Sequence, residues 1–316
     1  MNNGENVTLE AEEVDFAHTL TNLKTHTLPP KGFDARKASA SALKSYGLPQ
    51  RPDEKTFPAL AAHWDKIFSR DDITYIKPEF KPMEELLPGL NRQHGPIDAN
   101  INNCTWSGSV VETPTTDTFK SISGLFNVAD VAPMATTAGT YWMVSWIGID
   151  GYGGNDVCQI GTVQYATLGS NGSVTKGCYA WTEWFPSSWV AIPNFQINFG
   201  DTISALLCIQ SPTAAGFNMM NETTGVHTGF TFNAPKGTKL TGNTAEWIVE
   251  RPGIGGVTSQ LAAFGDIFFD GCTASTQSNK AFDAGSGILL NMVENSATVS
   301  TTTVENATMI KLVSAL

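Results

Sequence analysis

From residue 105 onward the chain alternates apolar and polar positions with a period of two. The pattern predicts strands over 119–128, 140–149, 157–165, 178–185, 202–210, 216–222, 227–232, 244–250 and 261–269, with closing strands inside 288–316. Turn signals such as Asn171-Gly172, Gly200-Asp201 and the glycine-rich run 253–256 separate them. Many short strands at near-regular spacing, with no helical period between them, imply an all-β fold, a β-sandwich or barrel. The first hundred residues are patterned differently. A helix is expected over 57–70, with Pro58 at its start and an apolar stripe of Leu60, Trp64, Ile67 and Phe68. A shorter helix over 38–46 is ended by Gly47 and Pro49, 19–30 reads as an irregular tether, and 78–103, rich in Pro, Gly and Asn, as a connection. A single amphipathic helix has to bury its stripe on something, and the β-domain is the nearest apolar surface. The expected organisation is therefore a short helical and irregular extension, 1–102, followed by a β-domain, 103–316.

The alternation also assigns faces. Within 145–161, Trp146, Gly148 and Asp150 share one face, and Val157, Gln159 and Gly161 share a face of the next strand. Further on, Tyr179, Trp181, Glu183 and Phe185 lie together, and Glu246, Ile248 and Glu250 lie opposite Ala245, Trp247 and Val249. Acidic side chains are almost never fully buried unless paired. From Cys104 on, only seven Lys or Arg are available to fifteen Asp or Glu. Carboxylates on a face lined with Trp and Phe therefore read as a substrate groove. The structural alternatives are a Glu250 paired with adjacent Arg251, a Gln159 bonded to backbone, and an Asp150 serving the turn before Gly151. Gln164 competes with Gln159 as the functional amide.

Charge and composition narrow the chemistry. Nineteen basic against thirty acidic residues give a net charge of -11, which repels phosphate backbones and argues against a nucleic-acid partner. No apolar stretch approaches the roughly 20 residues that span a bilayer, and no signal peptide is visible at the start of this sequence. The five cysteines contain no Cys-x-x-Cys pair, so no structural zinc site is expected. If the protein is exported, one or two disulfides and an odd thiol are expected, and five Asn-x-Ser/Thr sequons fit export. Neither Asp-Thr-Gly, Gly-x-Ser-x-Gly nor His-Glu-x-x-His occurs, and His227 reads as a surface residue at a strand end. On the residues alone, a glycan-cleaving or carbohydrate-binding sandwich stays open, with Glu183 and Glu250 as acid and nucleophile or base.

Trp106-Ser-Gly108, Trp146-Ile-Gly-Ile-Asp-Gly151, Gln159-Ile-Gly161, Trp181-Thr-Glu-Trp-Phe-Pro186 and Ala245-Glu-Trp-Ile-Val-Glu250 resemble, in order and approximate spacing, the glutamic peptidases known as eqolisins. The resemblance runs from about residue 103 to about 269. It implies a sandwich of two antiparallel sheets, of concanavalin or jelly-roll type, and an acid endopeptidase that needs no cofactor. Gln159 and Glu250 fall on the family's catalytic pair. Asp150 and Glu183 would be its supporting carboxylates, and Trp106, Trp146 and Phe185 its cleft aromatics. A polypeptide substrate, no membrane, a secreted location and a monomer are implied too. Residues 29–34, 46–49 and 51–53 resemble the family's leader, which makes 1–102 a candidate pro-segment. Its Lys66, Arg70, Lys77, Lys81 and Arg92 would pair with cleft carboxylates. Tyr179 and Pro252-Gly253 stand where well-known fungal members carry acidic residues, which bears on subsite preference.

Overall fold

The computed structural model describes residues 16–83, 102–103, 105–154, 156–254 and 257–315. The extension contributes α1 (Phe16–Asn22), β1 (Leu23–Thr25), α2 (Ala40–Ser45), α3 (Pro58–Phe68), β2 (Thr74–Ile76) and β3 (Lys81–Pro82). The β-domain supplies β4 (Trp106–Glu112), β5 (Phe119–Asn127), β6 (Gly139–Ile149), β7 (Cys158–Leu168), β8 (Val174–Trp184), β9 (Val190–Ala191), β10 (Thr202–Ser211), β11 (Ala214–Asn221) and β12 (Val226–Asn233). It continues with β13 (Thr244–Glu250), β14 (Gln260–Ala263), β15 (Asp266–Thr276), β16 (Ile288–Glu294), β17 (Ala297–Asn306) and β18 (Met309–Ser314).

These strands form a sandwich. A cleft sheet runs in the order β16, β4, β13, β6, β7, β8, β9. An outer sheet runs β17, β18, β15, β5, β10, β11, β12. All of these pairings are antiparallel, and β16 closes the sandwich by pairing with both β4 and β17. The inner faces interlock through Ile147, Ile160, Trp184 and Trp247 from one sheet and Phe126, Leu207, Phe217 and Phe230 from the other. The Trp247 indole crosses this core and donates to the Ser123 carbonyl at 2.7 Å, so its N–H is satisfied there.

The predicted strand over 261–269 is two strands. Gly265 adopts φ 60° and breaks the apolar run. Leu261 pairs with Trp142 in the cleft sheet, while Ile267 pairs with Leu312 in the outer one. The expected tether over 19–30 contains the end of α1 and all of β1, because the free edge of β12 supplies backbone partners to Leu23–Thr25.

The helical extension lies on the outward face of the outer sheet. Trp64, Ile67 and Phe68 of α3 bury against Leu206 and Met220, joined by Leu43 and Leu48. Trp64 donates its indole N–H to the Pro49 carbonyl at 2.9 Å, which ties α3 to the end of α2. His227 is not a surface residue. It is 1% exposed, with ring contacts to Phe68 and Tyr75. His63 of α3 is buried beside Gly271, and the Nε2 of each histidine lacks a hydrogen-bond partner. Burial lowers His63 to about 4, helped by Lys66, and lowers His227 to about 3. Cys158, Cys178, Cys208 and Cys272 are free thiols rather than disulfides, and Cys104 lies outside the described residues.

Candidate active site

Three register rows cross the cleft sheet, and residues of one row share a face. The first holds Trp106, Glu250, Val144, Val163 and Tyr179. The second holds Gly108, Ile248, Trp146, Gly161, Trp181 and Ala191. The third holds Val110, Glu246, Gly148, Gln159 and Glu183. The glycines have a packing reason: a Cβ at Gly161 would lie 2.7 Å from Trp146 Cβ, and one at Gly148 would lie 2.8 Å from its ring. Trp146 can therefore lie across the neighbouring strand. It meets Trp106 edge to face at 4.8 Å, and Trp181 meets Trp189 likewise at 5.4 Å.

Each member of the expected pair is held by a different neighbour. Trp146 Nε1 donates to Glu250 Oε2 at 2.8 Å. Gln159 Nε2 donates to Glu183 Oε2 at 2.6 Å, and Thr182 Oγ1 donates to the Gln159 carbonyl at 3.0 Å. Glu250, Gln159 and Glu183 are all buried in this face. Arg251 points the other way, as the residue after Glu250 on a strand should. It donates to the Ser259 carbonyl and pairs with Glu294 at 2.6 Å, so it is not the partner of Glu250. Gln164 lies five positions from Gln159, hence on the opposite face, and donates to Thr162 Oγ1 at 2.9 Å.

Of the other predicted residues, Trp106 and Trp146 belong to the apolar cluster of this face and Phe185 packs against it. Asp150 does not reach Gln159's amide. It sits at φ 64° and its carboxylate accepts from the amides of Thr241, Gly242 and Asn243 and from the Thr241 hydroxyl, at 2.7 to 2.9 Å. It clamps the loop that leads into β13. Glu246 is fully buried with no hydrogen bond of good geometry to either carboxyl oxygen, and the Thr244 side chain and Tyr152 amide lie alongside. Burial pushes its pKa well up, favouring the neutral form.

Sequence reasoning missed two contributors. Trp189 stands just before the two-residue strand β9, too short to show alternation. Met83 is part of what reads as a connection, yet it is fully buried in the cluster of Trp106, Trp146, Trp181 and Trp189. Arg70, expected at the cleft, pairs instead with Asp72 at 2.8 Å and Glu222 at 3.3 Å, and Arg92 lies outside the described residues. Among the described residues no group of three or more His, Cys, Asp or Glu is placed to hold a metal ion, and no helix is long and apolar enough to cross a membrane.

The two-sheet architecture is that of a known class of sandwich peptidases. It is similar to scytalido-glutamic peptidase bound to a transition-state analog inhibitor, at TM-score 0.55 and 19% identity over 67% of this chain and 98% of that one. It is also similar to SCP-B, a member of the Eqolisin family of peptidases, in complex with the tripeptide Ala-Ile-His, at TM-score 0.52 and 19% identity over the same shares of 67% and 98%. Aspergilloglutamic peptidase from Aspergillus niger matches at TM-score 0.49 and 23% identity, over 55% of this chain and 99% of that one. No curated protein sequence matches. The model of the Peptidase A4 family matches residues 104–312, and the chain belongs to that family, the glutamic endopeptidases called eqolisins.

Proposed function

We propose that this glutamic endopeptidase works through Glu250 and Gln159, in acid. The observation that carries the reading is their placement: both stand on the same face of the cleft sheet, each oriented by its own partner, Trp146 for Glu250 and Glu183 for Gln159. With one Glu250 oxygen held by the indole, the other takes a proton from a water attacking the peptide carbonyl, and the carboxylic acid so formed returns it to the leaving amine. An amide carries two donor hydrogens. One of Gln159's is committed to Glu183, and the second stabilises the oxyanion, a contribution of about 2.7 to 4 kcal/mol for one such donor. The indoles around the pair exclude water and strengthen both interactions. No described histidine stands on this face, so proton transfer there is carboxyl chemistry, which belongs to low pH.

The segment before about residue 102 acts in this reading as a pro-segment of a secreted, monomeric enzyme. What supports it is the extension's burial on the sandwich and the arrival of Met83 at the cleft face. The deciding experiment is incubation of the full chain and of Glu250→Gln with a denatured protein at pH 3 to 5. Cleavage by the first and none by the second is expected. Equal cleavage by both removes Glu250 from the mechanism.

A further inference from the structure

The short strand β3 docks on β9, with Pro82 opposite Val190 and Lys81 opposite Ala191. On its other side β9 pairs with β8, Val190 with Thr182 and Ala191 with Trp181. Immediately after β3, Met83 buries in the same indole cluster as Trp181 and Trp189, and Glu183, two residues beyond Trp181 on the same face of β8, is the residue that holds Gln159. The extension thus adds a strand to the cleft sheet at its β9 edge, beside β8, the strand that carries Glu183. Residues 81–83 are treated differently: Lys81 is exposed, Pro82 is half-buried, and Met83, just past the strand, is fully buried in the indole cluster.

We propose that the seat of Met83 is a side-chain subsite of the peptidase. It is entered by a polypeptide that adds itself to β9 as an extended strand and sinks one long, unbranched apolar side chain among the indoles of the cleft. The proposal rests on the reading of this face as the catalytic one. Strand addition to a sheet edge gives a polypeptide main-chain hydrogen bonds of any sequence, while the pockets beside the edge select side chains. The seat suits a flexible thioether or an aliphatic chain, which can fill an irregular gap between rings. It rejects a carboxylate, whose burial without a partner is unfavourable and whose charge would repel Glu183. The resident strand is a weak competitor. Among the described residues it pairs over two positions, and Pro82 has no N–H to donate, so a substrate with a full set of donors replaces it to advantage.

The test uses the full chain. Met83→Asp and the milder Met83→Ala empty the seat, and Met83→Leu keeps it filled. At pH 7, amide exchange at residues 190–191 should quicken in the Asp and Ala variants and stay at the wild-type rate in the Leu variant. The emptied variants should bind the capped peptide Glu-Phe-Lys-Pro-Met about 10- to 100-fold more tightly than the same peptide ending in Asp, the ratio expected for burying one such side chain. Equal binding of the two peptides, or exchange at 190–191 that does not respond to Met83→Ala, overturns the subsite. These readouts need no turnover. Absence of hydrolysis at pH 4 in every variant would count against the Glu250 and Gln159 reading, while the peptide comparison still decides the seat.

Discussion

The cleft face and the outward face of the outer sheet are both buried, yet the first buries its titratable groups as carboxyls and the second as imidazoles. Glu246 stands for one and His63 with His227 for the other. Burial raises the pKa of Glu246 and lowers those of the histidines. The signs of the linkage are therefore opposite. Glu246 contributes fully below the usual carboxyl value and its contribution is lost as pH rises toward its elevated folded pKa. The histidines contribute fully above 6.5. Below that the undocked state binds protons that the docked state cannot, and the contribution falls away down to about 4 for His63 and about 3 for His227. Acid thus firms the face proposed to carry out catalysis and loosens the face that holds the extension. Few charges stand ready to compensate. His63 faces Lys66 on its own helix and Asp270 beside Gly271. His227 faces Tyr75 and Phe68, with Arg70, Asp72 and Glu222 bound to one another nearby.

The largest effect that separates the faces is catalytic. Glu250→Gln should lower kcat by about 10³-fold and Gln159→Ala by about 10²- to 10³-fold, with thermal midpoints near wild type. Rates on a denatured protein at pH 4 and a melting curve for each variant check this, and a fully active Gln159→Ala would assign the oxyanion to another donor.

The second effect concerns the outer face alone. At pH 4 each histidine should have withdrawn up to about 3 kcal/mol of docking, at about 1.4 kcal/mol per pH unit below 6.5. In the double variant His63→Leu, His227→Phe, amide exchange over 226–232 should be as slow at pH 4 as at pH 7, whereas in wild type it should accelerate in acid. The same acceleration in both proteins would place the acid response elsewhere.

The smallest effect sharpens the contrast from the cleft side. Glu246→Gln should leave hydrolysis nearly unchanged and should flatten the fall in denaturation free energy that wild type shows as pH rises above the usual carboxyl value. A wild-type curve already flat there would mean that Glu246 ionises without cost.

The sandwich was legible because period-two alternation survives wherever one sheet face is covered by another. The shared face of the candidate site was legible for the same reason: assigning Glu246, Ile248 and Glu250 to one face of β13 needs only that period. Where a run is apolar on both faces the signal fails, and so 261–269 hid the change of sheet at Gly265. Strand β4 escaped because Ser107, Gly108 and Ser109 are poor strand formers. They are held by distant partners, Ser107 by the Ser300 hydroxyl at 2.8 Å and Ser109 by the Ala284 carbonyl at 2.6 Å. The partner of Asp150 was not legible, since the loop that it clamps is some ninety residues away in sequence. Met83 gave no local sign at all, for its burial depends on a strand pairing with β9.

The edge of β12 has a further consequence. Leu23–Thr25 lies antiparallel along Phe230–Phe232 and Thr74–Ile76 lies parallel along Val226–Thr228, so the extension covers nearly the whole length of that strand's free side. A molecule stripped of these residues presents a bare edge, ready to template a strand from another copy and seed association in concentrated solution. The extension is then a guard against self-assembly as well as the proposed pro-segment. Cutting the chain between residues 83 and 102 and shedding what precedes the cut are separate events with separate hazards: a nicked enzyme keeps its guard, and only a stripped one must stay dilute.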